Sequence, residues 1–387
     1  MAEAHRCDQC CFKLFSFRPV DEGQRLEKVM EVKRPVRIAV LRNELEGDHL
    51  GWIEALEVCN VDVDYSLINL TKFDWLERII QFKPDICLLK PSGNVSLFRT
   101  LYQERVEIIE RDLKIEVFPS YNELRIYENK RYFSYWLKAQ DLPHPETSVF
   151  YHKDEALAYG VSCRLPIVAK INIGASGSGV RIIRDRKSFT SYVDLAFGRG
   201  LTTKTGPNLK KAGKIRRLLR KLTHPRELLE RINYYKAVSN DKQRGFVIFQ
   251  EYVEHEYEWR VVRIGDSYFA HKKLKVGDMA SGTLLKNYDN PPLDLLDFVK
   301  GLTDEHGFKS VAVDLFATSE QGYLVNEIQC IFGQSDSYQM QVDGVIGRYV
   351  YLGNKWRFDP GDYAKNGCYD LRLEYAFHVI NRQDIAK

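Results

Sequence analysis

The sequence predicts a mixed α/β protein, an open parallel-sheet unit followed by a region built largely of antiparallel hairpins. Three observations carry this. Between Val36 and Phe118, short apolar runs alternate with segments of helical spacing, the pattern of a parallel sheet. Beyond Phe246, paired apolar runs are separated by tight turns, as at Gly265-Asp266 and Glu320-Gln321-Gly322. At 387 residues the chain is too long for one small core, so two or three packed subdomains are expected.

The elements follow in order. Val36–Leu41 reads as a strand, Trp52–Val58 as a helix, Val61–Leu67 as a strand and Phe73–Phe82 as a helix. Pro84–Leu89 and Ile115–Phe118 complete the strands of the first unit, with a helix over Glu104–Asp112 between them. A helix over Lys130–Ala139 leads to Pro143-His144-Pro145, which forces a loop. Val149–Tyr151 is a strand followed by a helix, and Pro166–Lys170 and Gly179–Ile183 are strands around a glycine-rich loop. Phe246–Phe249, Trp259–Ile264 and Ser267–Lys273 resume the strand pattern, and Val311–Phe316 pairs with Tyr323–Ile328. Tyr349–Leu352 and Trp356–Phe358 read as a further hairpin, and Asp370–Ile380 as a closing helix. Residues 1–33 have no clear periodicity and read as a loosely attached leader.

The bulk properties exclude several classes. A chain 44% hydrophobic and 28% charged is ordinary for a globular protein. A net charge of +4 is too small to argue for nucleic acid, and no apolar run is long enough to span a bilayer. His5, Arg6 and three cysteines stand where a signal peptide would be apolar, so a cytoplasmic protein is expected. Cys59, Cys87 and Cys163 lie in or beside apolar runs and read as reduced core cysteines. Cys7, Cys10 and Cys11 have a spacing that could hold zinc, but no second ligand pair follows closely.

Three constellations carry chemistry. The first is Ile167-Val168-Ala169-Lys170 followed by Gly174-Ala175-Ser176-Gly177-Ser178-Gly179. A strand lysine with a glycine loop can converge a point charge and backbone N–H groups on an anion. It lacks the Gly-Lys-Ser/Thr of a Walker loop, and a strand rather than a Rossmann helix comes next. The alternative is a glycine-rich hairpin without a ligand. The second is Gln250-Glu251-Tyr252-Val253 with Glu258-Trp259-Arg260, where a strand end could read a base edge and a carboxylate could accept from hydroxyls. A solvated acidic turn is the bland reading. The third is Asp314 and Glu327, each inside an apolar strand where an uncompensated carboxylate is costly. Either a divalent cation such as magnesium or an ion pair with a buried Arg or Lys must offset them.

The order of these parts resembles the ATP-grasp superfamily, over roughly residues 36–335. The resemblance implies a pre-ATP-grasp α/β domain at 34–122, a lid subdomain at 123–250 with a basic insertion at 199–244, and a metal-carrying subdomain at 251–387. ATP would lie between the last two. It further implies that Lys130 and Lys170 contact nucleotide phosphates and that Gly174 to Gly179, with Ser176 and Ser178, form the mobile loop above them. Glu251, Tyr252 and Val253 would be the adenine-side hinge and Glu258 the ribose contact. Arg260 with Lys272 or Lys273 would bind the carboxylate and its acyl phosphate. Asp314 and Glu327 would hold magnesium, with manganese as an alternative metal. Gln329 stands where the superfamily has asparagine, on a longer arm.

The activity implied is ATP-dependent carboxylate–amine ligation through an acyl phosphate, with a kinase on the same fold as the alternative. The run Trp259–Asp266 and the later Ala280–Thr283 look most like bacterial ATP-grasp proteins associated with surface-polysaccharide genes. Between Arg199 and Arg244 there are 14 Lys or Arg against three Asp or Glu. That charge reads as a solvated helical pair, or as a surface for an acidic glycan or phosphorylated carrier. Nucleic acid is not expected, since Tyr234 and Tyr235 are its only aromatics.

Overall fold

Val36–Arg42 (β1), Val63–Asn69 (β2), Ile86–Leu89 (β3) and Glu116–Phe118 (β4) form a parallel sheet in the order β2-β1-β3-β4. The computed structural model describes residues 34–91, 95–174, 177, 179–203, 234, 236–277, 279–280, 285–334 and 336–386. The leader with Cys7, Cys10 and Cys11, the loop residues Ser176 and Ser178, residues 204–233 of the basic segment and the run 281–283 lie outside the described residues.

Coverage of both faces explains the apolar run at residues 38–41 of β1. Ile38 and Val40 pack with Trp52 of helix Leu50–Val58 (α1), while Ala39 and Leu41 pack with Ile79 of Trp75–Phe82 (α2) and Tyr102 of Ser96–Glu107 (α3). Helix α3 starts earlier than the sequence suggests and ends in a π turn at Ile108–Asp112. Its first turns hide a buried Arg99, whose guanidinium donates to the Tyr127 carbonyl at 2.6 and 3.1 Å, so the apolar periodicity is broken there. The short helix Tyr121–Ile126 (α4) was not foreseen. It starts at a capping box in which Ser120 and Glu123 satisfy each other's backbone amides.

The second layer is an antiparallel sheet of Thr147–Phe150 (β5), Ile167–Lys170 (β6), Val180–Ile183 (β7) and Val247–Glu251 (β8), in the order β5-β8-β6-β7. Helices Lys153–Ser162 and Arg186–Phe197 cover one face, with Phe189 stacked on Phe249 at 4.4 Å. The third layer is larger. Tyr257–Ile264 (β9), Ser267–Val276 (β10), Met279–Ala280 (β11), Lys286–Asn287 (β12), Ser310–Thr318 (β13), Gly322–Gln329 (β14), Gln341–Val342 (β15), Val345–Leu352 (β16) and Lys355–Pro360 (β17) build it. Its main path runs β14-β13-β9-β10-β16-β15, with antiparallel neighbours.

Two helices cross the boundaries expected from the sequence. Lys130–Ala139 (α5), grouped there with the lid, buries Phe133 and Leu137 against Trp259, Val261 and Val313 of the large sheet. The C-terminal helix Tyr369–Ala386, grouped with the large sheet, packs Leu373 and Ala376 against Trp52 and Phe118 of the first unit. Glu123 adds a polar tie, accepting from the backbone amides of Lys309 and Ser310 at 2.7 and 2.5 Å. The helix Leu293–Glu305, which the sequence reading left unassigned, completes the core behind the large sheet. Cys87, Cys163, Cys330 and Cys368 are buried and, like Cys59, free. Among the described residues, no helix is long and apolar enough to cross a membrane.

Candidate functional site

A cavity of about 140 Å³ lies between the second and third layers, lined by β6, β7 and β8 on one side and by β9, β10, β13 and β14 on the other. Val168, Val180, Ile182, Ile248 and Phe316 give it an apolar region, and Lys130, Lys170, Lys273, Asn326 and Glu327 a polar one.

Alternation on β9 and β10 decides which charged residues face it. Trp259 and Val261 enter the core behind the sheet, so Glu258 and Arg260 face the other way. On β10, Tyr268 and Ala270 enter the same core, which places His271 and Lys273 beside Glu258 and Arg260. Lys272 therefore belongs to the opposite face. Its Nζ lies 4.4 Å from the Tyr257 ring centroid and pairs with Asp289 at 2.9 Å, so the structure removes it from the site.

A β-bulge on β14 adds a second departure from simple alternation. Asp314 lies opposite Glu327, but Leu315 lies opposite Val325, which leaves Asn326 as the extra residue. Val325 and Ile328 thus both reach the core, while Asn326 and Glu327 both line the cavity. Asn326 Oδ1 accepts from Lys170 Nζ at 3.0 Å, which links the two sheets.

The charges on the large sheet form one network. Arg260 donates from Nε to Asp314 Oδ1 at 2.7 Å and from its terminal nitrogen to Oδ2 at 2.8 Å. Lys273 bonds Asp314 at 2.8 Å and Glu258 at 2.5 Å. Burial opposes the ionisation of Asp314, but Arg260 and Lys273 outweigh it and hold its carboxyl well below the usual range. Burial likewise disfavours the charged form of Lys273, and Asp314 and Glu258 reverse this and raise it. Asp314 thus takes the ion-pair role that was the alternative to metal binding, and it is absent from the cavity wall. Gln329, opposite Ala312, does not line the cavity either, and nor does Arg260, which lies behind Lys273 and Glu258 with its guanidinium on Asp314.

The lysines across the cleft differ from one another. Lys130 donates to Glu128 at 3.1 Å and to the Gly174 carbonyl at 3.0 Å. Burial lowers its proton affinity, but Glu128 and then Glu327 override this and raise it. Among the described residues Lys170 hydrogen-bonds the neutral Asn326 and forms no ion pair. Burial lowers its pKa to about 8, with Glu327 opposing the shift and Lys130 adding to it. Beside these lysines the chain turns at Gly177, with φ +69, and a Cβ at Gly179 would fall 2.1 Å from Ile171 Cγ1. Both positions therefore require glycine.

Glu251, Tyr252 and Val253 line the cavity where β8 ends, as does Glu258. The sequence reading missed His255, whose Nδ1 lies 2.7 Å from the Val253 carbonyl and whose ring packs on Phe316 at 4.6 Å. It also missed Glu128 and Asn326. None of these three has a spacing that announces it: Glu128 precedes the helix that carries Lys130, and Asn326 faces the cavity only because of the bulge.

Among the described residues, no three His, Cys, Asp or Glu side chains gather as a shell that could hold a metal ion. Glu327 fits a metal–nucleotide partner, since it lines the cavity and acts on Lys130, Lys170 and Arg260 through space without an ion pair to any of them. Asp314, with both oxygens on Arg260, does not fit as it stands.

A scan against family models finds no match, and a search of curated proteins finds none. Solved structures do match. A RimK domain ATP-grasp protein from Sphaerobacter thermophilus is 15% identical, with 76% of this chain and 90% of that one covered, at a TM-score of 0.45. D-alanine–D-alanine ligase from Bacillus anthracis is 14% identical, covering 90% and 99%, at a TM-score of 0.49. N5-carboxyaminoimidazole ribonucleotide synthetase from Thermotoga maritima is 14% identical, covering 76% and 68%, at 0.43. Likeness at this level assigns no residue or substrate to this chain.

Proposed function

We propose that this chain is an ATP-dependent carboxylate–amine ligase that works through an acyl phosphate. The observation that carries the reading is the convergence of Lys130, Lys170 and Lys273 with Glu327 on a cavity that also has an apolar region of Val168, Val180, Ile182, Ile248 and Phe316. An apolar region suits a nucleobase, and a cationic end suits its phosphates. The cavity wall carries Lys130, Lys170 and Lys273 against Glu128, Glu251, Glu258 and Glu327, and the buried Arg260–Asp314 pair lies beside it.

In this reading Lys130 and Lys170 grip the phosphates, the strand end at Glu251–Val253 meets the base, and Lys273 on the cavity wall, with Arg260 behind it, holds the carboxylate. A carboxylate oxygen attacks the γ-phosphorus and ADP leaves. The amine nitrogen then attacks the acyl carbon, phosphate leaves with the bonding pair, and the amine gives up a proton. Arg260 and Lys273, fixed by Asp314 and Glu258, are aligned before charge develops and so need no reorganisation. Magnesium, held by Glu327 and the nucleotide's own phosphates, would supply electrostatic stabilisation of the transferring phosphoryl group. The positive balance between Arg199 and Arg244 favours an acidic carboxylate substrate such as a uronic-acid glycan.

Mass spectrometry of products from ATP, magnesium and a panel of uronic acids and amino acids tests this. A ligase gives ADP, phosphate and a condensed product only when both acid and amine are present. A stable phosphorylated product from a single acceptor would instead establish the kinase alternative.

A further inference from the structure

We infer that His255 and Glu258 together read the ribose hydroxyls of the nucleotide, with His255 Nε2 as the second hydrogen-bond acceptor. The inference rests on the nucleotide reading above and adds a specificity-determining residue to it. Glu258 alone is poorly equipped for a diol. Its Oε2 is held by Lys273 at 2.5 Å, which leaves Oε1, 3.5 Å from Asn326 Nδ2 and 3.9 Å from His255 Nε2. Oε1 thus already accepts a long hydrogen bond from Asn326 and is the one oxygen of Glu258 not held by Lys273, whereas vicinal hydroxyls bring two protons.

The imidazole supplies what is missing. A carbonyl can only accept, so the contact between His255 Nδ1 and the Val253 carbonyl at 2.7 Å puts the ring proton on Nδ1. In the neutral ring Nε2 is then a lone pair, buried and, among the described residues, without a hydrogen-bond partner, on a side chain only 8% exposed. A buried acceptor without a donor is costly, and here it faces a carboxylate oxygen, which is also an acceptor. Two donors entering between them relieve both. The ring is held for this task from two sides, by the Val253 bond and by its packing on Phe316. The ligand class follows: a ribonucleotide rather than a deoxynucleotide.

Calorimetric titration of the full chain with ATP, 2′-deoxyATP and 3′-deoxyATP in magnesium buffer tests it, on the wild type, His255→Phe and His255→Gln. The wild type should bind ATP roughly 5- to 100-fold more tightly than at least one deoxy analogue. His255→Phe keeps the packing on Phe316 but has no acceptor, so it should bring that ratio to within about twofold, by weakening ATP and not the analogue. His255→Gln, whose amide oxygen can accept, should keep part of the ratio and serves if the Phe variant does not fold. The inference is overturned if the wild type binds all three nucleotides alike, if the ratio survives in both variants, or if His255→Phe weakens all three equally. Failure of the wild type to bind ATP at all would overturn the nucleotide reading as well, so the two failures are told apart.

Discussion

Lys170 on the small sheet donates to Asn326 on the large sheet at 3.0 Å, across the cavity that both residues line. This is an ammonium bonded to a neutral amide, not to a carboxylate, so the lysine's charge is left uncompensated by an ion pair. That makes Lys170 the member of the site best prepared to receive an anion.

Lys170→Ala should raise the dissociation constant for ATP by roughly 10- to 100-fold while leaving the fold intact, since a charge-assisted contact worth about 1.5–3 kcal/mol is lost. Titration calorimetry with ATP and magnesium checks this. Unchanged affinity would reduce Lys170 to a bystander.

The same lysine gives a pH dependence. Its pKa in the folded chain is about 8 against an ordinary 10.5, so the unfolded chain holds the extra proton between those values. This group therefore makes the protein more stable as pH rises through that window, and it loses its charge above about pH 8. ATP should accordingly bind more weakly at pH 9 than at pH 7 in the wild type. The difference should shrink in Lys170→Ala, and an equal pH effect in the two proteins would refute the assignment.

Glu327→Gln and Asp314→Asn should separate function from stability. Glu327 makes no ion pair among the described residues, so its amide should abolish metal-dependent turnover with little change in melting temperature. Asp314 anchors Arg260 and Lys273, so Asp314→Asn should lose turnover and also cost about 3–5 kcal/mol of stability, the usual loss on breaking a buried pair. The depressed Asp314 carboxyl contributes stability that is fully present above its ordinary value of 3.8, starts to fall below it, and is lost as pH falls through the depressed folded-state value. The difference in melting temperature between wild type and mutant should therefore narrow from pH 7 to pH 3 without closing at pH 3.

Lys272 and Lys273 are adjacent in sequence and opposite in role. Lys273→Ala should remove activity, because Glu258 and Asp314 lose a shared partner. Lys272→Ala should retain it, since only Asp289 and two aromatic rings are touched. Steady-state ADP release by each variant decides, and equal loss would mean that the strand faces are assigned wrongly.

The sequence by itself determined the layers and their order. Alternating apolar runs require a parallel sheet at Val36–Phe118, Gly265-Asp266 dictates a hairpin, and the helix at Lys130–Ala139 appears with the predicted bounds. These are local matters of period and turn chemistry. What only the tertiary structure decided is which polar groups meet. A two-residue period cannot say which face of β10 looks at the cleft until its partners are known, so Lys272 and Lys273 stayed equivalent. Nor can it show a bulge, which depends on pairing β14 with β13 and turns both Asn326 and Glu327 inward. Asp314 could be read as metal ligand or ion-pair partner until Arg260, directly opposite on β9, took both its oxygens. Burial and cross-strand register arise from residues distant in sequence, and they set the charge of each group in the site.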